Sequence, residues 1–208
     1  MENLSMKKEI TVSVFGKRGV GKSSTLNTLF ELGLDTDPAQ ACTKDIFSKK
    51  INRPEKFQNK VIEVIDLPGI GEGFETDAIY MPLYEKIIPK TDTLLWITQA
   101  NVRAYKHDQI MFRNISHMIK SNVNFVFGVN KSDILISSHF KLDTVELEDL
   151  MRLSDHEIFK EKIDDIMSVF SPGFNKVFPF SSKNICFYSS HFNWNTENLL
   201  NKILNQNT

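Results

Sequence analysis

A chain of 208 residues, 41% hydrophobic and 25% charged, has the size and composition of one globular domain with a sizeable core, which excludes a disordered or collagen-like chain. Twenty-five Lys and Arg stand against 26 Asp and Glu, a net charge of −1, so no overall basic excess draws the chain toward nucleic acid or an anionic membrane, and such a partner would have to be bound locally. Cys42 and Cys186 are far apart and belong to no C-x-x-C pair, so they read as free thiols of a cytoplasmic protein. The opening residues MENLSMKKEI carry charge where a signal peptide needs an apolar stretch, and no 18-residue uncharged apolar run occurs, so no transmembrane segment is expected.

In chain order, β-rich runs at residues 10–15, 46–51, 61–66, 93–98, 123–130 and 176–180 alternate with helical spacing at 22–32 and 105–121 and a closing helix at 195–204. This order predicts an α/β fold: one domain over 1–208, with an open, mostly parallel sheet of about six strands and helices on both faces. Residues 134–170 exceed what such a domain needs, and hold nine acids against four bases. There, Ser154 with Glu157 forms a capping box ahead of Phe159, Ile163, Ile166, Met167 and Phe170, with Pro172-Gly173 as the expected stop. An acidic helical insert packing one face on the body is the reading.

The first strand runs into Gly16-Lys17-Arg18-Gly19-Val20-Gly21-Lys22-Ser23, which fits G-x-x-x-x-G-K-[ST] between a strand and a helix. Such a loop cradles phosphates. Its glycines let the N–H groups of Gly19, Val20, Gly21, Lys22, Ser23 and Ser24 converge on an anion, Lys22 reaches the β and γ oxygens, and the Ser23 hydroxyl is placed to ligate Mg²⁺. The third β-rich run ends in Asp66-Leu67-Pro68-Gly69, where Asp66 can hold Mg²⁺ through water and the Gly69 N–H can meet a γ-phosphate. Gly71 and Gly73 follow, in a segment free to move when that phosphate leaves.

Asn130-Lys131-Ser132-Asp133 closes the strand at 123–130. A carboxylate at Asp133 accepts from N1–H and the exocyclic amine of guanine, a pattern adenine lacks, while the Lys131 stem covers the base. GTP rather than ATP is the expected ligand. Ser181-Ser182-Lys183, after the run at 176–180, is the candidate for a backbone donor to guanine O6. Phe187, Tyr188, Phe192 and Trp194 read as packing for the last helix.

GKRGVGKS, DLPG, NKSD and SSK, in that order, resemble the motifs of P-loop GTPases, and ACTKDIF, VIDLPGIGEG and LLWITQANVRAYKHDQ resemble the Era-related family of 50S ribosome-binding GTPases. Septins and immunity-related GTPases have similar loops. The resemblance implies a Mg²⁺-dependent GTPase that hydrolyses GTP to GDP and phosphate and acts as a conformational switch. The alternative is an assembly protein, septin-like or immunity-GTPase-like, that uses GTP mainly as a structural ligand. Thr43 is then the switch threonine that closes on Mg²⁺ and γ-phosphate, with Thr36 as the substitute.

Three departures stand out. Ile70 occupies the place of the water-orienting glutamine of Ras-like proteins, Gly19 stands where potassium-activated relatives carry Asn, and no counterpart of Era's C-terminal RNA-binding domain is expected after the last helix. Slow turnover is therefore expected unless a nucleotide-dependent homodimer brings Lys17 or Arg18 of one copy to the other's γ-phosphate. Ribosome or RNA as partner rests on the resemblance and on one basic stretch: Lys44, Lys49, Lys50, Arg53, Lys56 and Lys60.

Overall fold

The computed structural model describes residues 9–35, 47–69 (except 54 and 58), 78–140 and 157–204. Six strands form one sheet: β1 (Glu9–Gly16), β2 (Phe47–Asn52), β3 (Val61–Asp66), β4 (Thr93–Gln99), β5 (Asn124–Asn130) and β6 (Ile185–Phe187). Their order is β2-β3-β1-β4-β5-β6, with every pair parallel except β2 with β3. The C-terminal ends of β1, β3, β4, β5 and β6 consequently share one edge, the edge where open α/β sheets bind ligands.

Alternation along the strands builds a core on each face. Leu94 and Trp96 of β4, with Phe125 and Phe127 of β5, enter one apolar cluster, while Leu95, Ile97 and Val126 between them enter the other. The first face is covered by α2 (Met81–Ile87), α3 (Lys106–Ile115) and α5 (Glu157–Phe174), the second by α1 (Lys22–Phe30) and α6 (Thr196–Ile203). A further helix, α4 (Ser132–Phe140), follows β5 directly. The face under α5 is dense in aromatic rings. Phe174 is fully buried with its centroid 4.1 Å from Phe112, 4.9 Å from Phe125 and 4.8 Å from Phe180. α5 turns Phe159, Ile166 and Phe170 onto the sheet and leaves Glu161 and Asp164 in solvent. Ser154 and the acids between 143 and 155 lie outside the described residues.

Two expectations need correction. α5 does not stop at Pro172 but runs through it to Phe174. The proline forfeits one helical hydrogen bond, and the burial of Phe174 in the ring cluster outweighs that loss. Residues 176–180 are not a strand: Val177 and Phe178 donate back to the Phe174 carbonyl at 2.8 and 3.0 Å, so their apolar side chains pack as a turn beneath the cluster. The sixth strand is instead Ile185–Phe187. Phe187, Tyr188 and Trp194 are buried, but Phe187 and Trp194 pack on Phe159 of α5 at 4.8 and 6.2 Å, and Phe192 is exposed.

Candidate functional site

The phosphate loop joins β1 to α1 through three glycines in the left-handed half of backbone space, Gly16, Gly19 and Gly21. Two of these positions also exclude a side chain. A Cβ on Gly16 would lie 2.3 Å from the Ile97 carbonyl oxygen, and one on Gly21 would lie 2.4 Å from Asn130 Nδ2. α1 begins at Lys22 without a side-chain cap on Gly21, and a helix N-terminus that follows such a loop is an anion-binding site. Lys22 is buried and its Nζ donates to the carbonyls of Gly16 (3.1 Å) and Lys17 (3.2 Å).

Asn130, at the end of β5, fastens this loop to two others. Its Nδ2 donates to the Val20 carbonyl at 3.0 Å, and its Oδ1 accepts from the Ser190 N–H at 3.0 Å. The next residue, Lys131, takes a left-handed conformation and donates from Nζ to the Gly19 carbonyl and to Gln99 Oε1, both at 3.0 Å. Asp133 Oδ1 is buried without a hydrogen-bond partner among the described residues. A buried bare acceptor costs about 1 to 3 kcal/mol, and two N–H donors on a ligand would satisfy it.

Asp66 ends β3 facing the same crevice and is 1% exposed, with Oδ1 lacking a hydrogen-bond partner among the described residues. Burial pushes its carboxyl up to about 6, while the Lys22 ammonium pulls the other way. Gly69 follows closely: a Cβ there would lie 3.0 Å from Lys22 Nζ and 3.2 Å from the Arg18 nitrogen, so its backbone rests against the phosphate loop. An orphaned acidic oxygen within electrostatic reach of Lys22 of the phosphate loop fits a hydrated Mg²⁺, which is held by few protein oxygens and completes its shell with water and phosphate. Thr43, Thr36, Ile70, Gly71 and Gly73 lie outside the described residues.

The structure brings Gly16, Gly19, Val20, Gly21, Lys22, Asp66, Gly69, Asn130, Lys131 and Asp133 to one edge, but not Ser181, Ser182 and Lys183. Those three form a capped turn that precedes β6, with Asn184 Nδ2 on the Phe125 carbonyl at 2.9 Å and the Lys183 carbonyl accepting from Lys202 at 2.7 Å. They sit at the opposite end of the parallel strands from Asn130. Ser189 and Ser190, after β6, occupy the place expected of them. Lys17 also departs from expectation: its Nζ is 2.5 Å from Asp108 Oδ2 of its own chain. The basic stretch is likewise engaged internally, Lys50 with Glu9 at 2.6 Å, Arg53 and Lys56 with Glu31, and Lys60 with the Leu204 carbonyl at 2.8 Å. Lys44 lies outside the described residues.

A family model described as 50S ribosome-binding GTPase matches residues 11–131, more than half of the chain and every element of this crevice except the loop after β6 and Asp133. The chain belongs to that family. It carries a GTP-binding domain of the type found in Era and MnmE. The uncharacterized protein YkfA of Escherichia coli K12 is 30% identical over 157 residues, 73% of this chain and 53% of YkfA. The tRNA modification GTPase MnmE of Campylobacter fetus is 26% identical over 148 residues, 65% of this chain and 32% of MnmE. The chain thus spans about half of the first and a third of the second. Among solved structures, Era in complex with MgGDPNP and a segment of 16S ribosomal RNA superposes with a TM-score of 0.66 at 20% identity, covering 96% of this chain and 57% of Era. At that identity the likeness is one of fold. Among the described residues no helix is long and apolar enough to cross a membrane.

Asp66 generates a pH prediction for the protein freed of nucleotide and divalent cation. Its folded pKa, about 6, lies above its ordinary 3.8, so the folded state holds this proton more tightly than the unfolded chain does. Asp66 therefore costs nothing below pH 4 and destabilises progressively as pH rises through 6. Asp66→Asn is expected to raise stability at pH 7.5 by up to about 3 kcal/mol, from about 1.4 kcal/mol per unit, and to give no gain at pH 4. Thermal denaturation of both proteins at the two pH values measures this, and a gain equal at both would reject it.

Proposed function

We propose that this chain binds GTP with Mg²⁺ along the C-terminal edge of its sheet, hydrolyses it to GDP and phosphate, and changes conformation with the state of the nucleotide. The observation that carries the reading is Asp133: a buried carboxylate oxygen without a hydrogen-bond partner among the described residues, beside a lysine and an asparagine already bonded to the phosphate loop. The Asp133 carboxylate suits N1–H and the exocyclic amine of guanine, the stem of Lys131 covers the base, and the loop at Ser189 and Ser190 takes the O6 side in place of Ser181–Lys183.

In this reading the loop N–H groups hold the β-phosphate, and Lys22 moves from the carbonyls of Gly16 and Lys17 onto the β and γ oxygens. Gly69, already against Lys22, offers its N–H to the γ-phosphate. Ser23 and Asp66 would hold Mg²⁺ together with Thr43, and the ion when bound neutralises charge developing on the phosphate oxygens. Water attacks the γ-phosphorus in line and the β–γ bridging oxygen leaves with the electron pair. Ile70 cannot hydrogen-bond that water, which makes turnover by a single copy slow.

A homodimer formed across the nucleotides would supply the missing charge from Lys17 or Arg18 of the other copy, and the Lys17 ammonium would have to leave Asp108 to do so. RNA forms no part of the proposal, because four of the six cations in the basic stretch pair within the chain.

Two measurements test this. Asp133→Asn should cost roughly 3 to 6 kcal/mol in GDP binding, the loss of two charge-assisted hydrogen bonds at about 1.5 to 3 each, and shift preference toward xanthine nucleotides; calorimetry with GDP, XDP and ADP reads it, and equal wild-type affinity for GDP and ADP would defeat the assignment. Phosphate release per molecule in single turnover should rise across a hundredfold range of protein concentration. A flat but finite rate would place activation in another protein, and no release at all would make GTP a structural ligand.

A further inference from the structure

Asp108 lies in the first turn of α3 and is 1% exposed, an unusual setting for a carboxylate. Its counter-ion comes from the phosphate loop, 91 residues away in sequence: Lys17 Nζ is 2.5 Å from Asp108 Oδ2 and also donates to the Ala104 carbonyl at 3.2 Å. The indole N–H of Trp96, from the middle of β4, faces the same carboxylate. The backbone of Lys17 points the other way, its carbonyl accepting from Lys22 Nζ at 3.2 Å beside that of Gly16 at 3.1 Å. One residue therefore carries an anchor on its side chain and half the cradle of the phosphate-loop lysine on its main chain. Gly69 packs onto the same turn, where a Cβ would meet Arg18 N at 3.2 Å and Lys22 Nζ at 3.0 Å. A shift of residues 17 and 18 would displace Lys22 and the loop after β3 together.

The far end of the loop has its own fastening, Asn130 on the Val20 carbonyl and Lys131 on the Gly19 carbonyl. The near end is tied by Lys17. We propose that Asp108 is a positioning residue for the nucleotide site: by holding the Lys17 side chain, it fixes the first turn of the phosphate loop and hence the carbonyls from which Lys22 is presented. The proposal rests on the reading of this crevice as a GTP site and assigns Lys17 a role within its own chain.

The test compares Asp108→Asn, Lys17→Met, the double variant, Lys17→Arg and, as control on the same connecting segment, the exposed Arg103→Ala. In stopped-flow displacement of a fluorescent GDP, dissociation should quicken about tenfold or more in Asp108→Asn and in Lys17→Met, as expected when one partner of a buried pair is removed. The double variant should be no faster than the faster single, and Lys17→Arg should recover most of the loss. In the nucleotide-free protein, hydrogen exchange at the amides of residues 19–24 should quicken in Asp108→Asn and stay put in Arg103→Ala. A lower Tm with wild-type GDP dissociation and wild-type exchange at those amides would make Asp108 merely structural and overturn the proposal. Single effects that multiply in the double variant would overturn it as well, since Asp108 would then act other than through Lys17. Failure of the wild type to bind GDP would defeat the reading of the site, while the amide exchange would still decide the anchoring.

Discussion

A single buried amide, that of Asn130, sets the geometry on which the rest of the site depends. It is fully buried, and an amide so placed must spend its donor and acceptor on partners with fixed positions. Val20 and Ser190 supply them, from segments 110 residues before and 60 residues after it in sequence. This explains why Gly21 cannot be another residue: its left-handed backbone and the 2.4 Å approach of Asn130 to its missing Cβ leave no room. The parallel sheet brings the ends of β1, β5 and β6 to one edge, and the amide converts that rough proximity into a register between the phosphate loop, the base-side residues and the loop after β6.

Two buried acids, Asp66 and Asp108, and the half-buried Asp133 differ in how their charge is met. Asp108 has an ion pair with Lys17 at 2.5 Å and Asp66 lies within electrostatic reach of Lys22, yet Asp108, Asp66 and Asp133 each keep a buried oxygen without a hydrogen-bond partner among the described residues. Bare buried oxygens cost stability in the empty protein, and a ligand that meets them removes that cost. Asp66 shows the conflict plainly, because burial raises its pKa to about 6 despite the nearby Lys22. In the proposed reading Asp108 steadies the phosphate loop through Lys17, while Asp66 and Asp133 meet a cation and a base.

Much of this was legible in the residues. The phosphate loop, Asp66 with Gly69, and Asn130 with Lys131 and Asp133 are contiguous signals at strand ends, where local chemistry and topology agree. What was hidden is non-local. Residues 176–180 have the composition of a strand, but their apolar side chains go to the ring cluster around Phe174, so Ser181–Lys183 was assigned to the wrong end of the sheet. β6 is only three residues long, and the signal that could have located it was the run Ile185-Cys186-Phe187 ahead of Ser189-Ser190 and the last helix. The pairing of Lys17 with Asp108 joins two charges with no sequence relation, as do the ion pairs that engage the basic stretch. Spacing cannot announce such contacts.

The central claim is that one edge of the sheet holds a guanine nucleotide, base toward Asp133 and the loop at Ser190, phosphates in the loop at Gly16–Ser23, metal toward Asp66. A crystal structure of the chain with Mg²⁺ and a non-hydrolysable GTP analogue tests it most directly. The account predicts guanine N1–H and its exocyclic amine within hydrogen-bond distance of the Asp133 carboxylate, with the turn at Ser181–Lys183 remote from the ligand. A base seated against that turn, or a nucleotide bound without contact to Asp133, would contradict it.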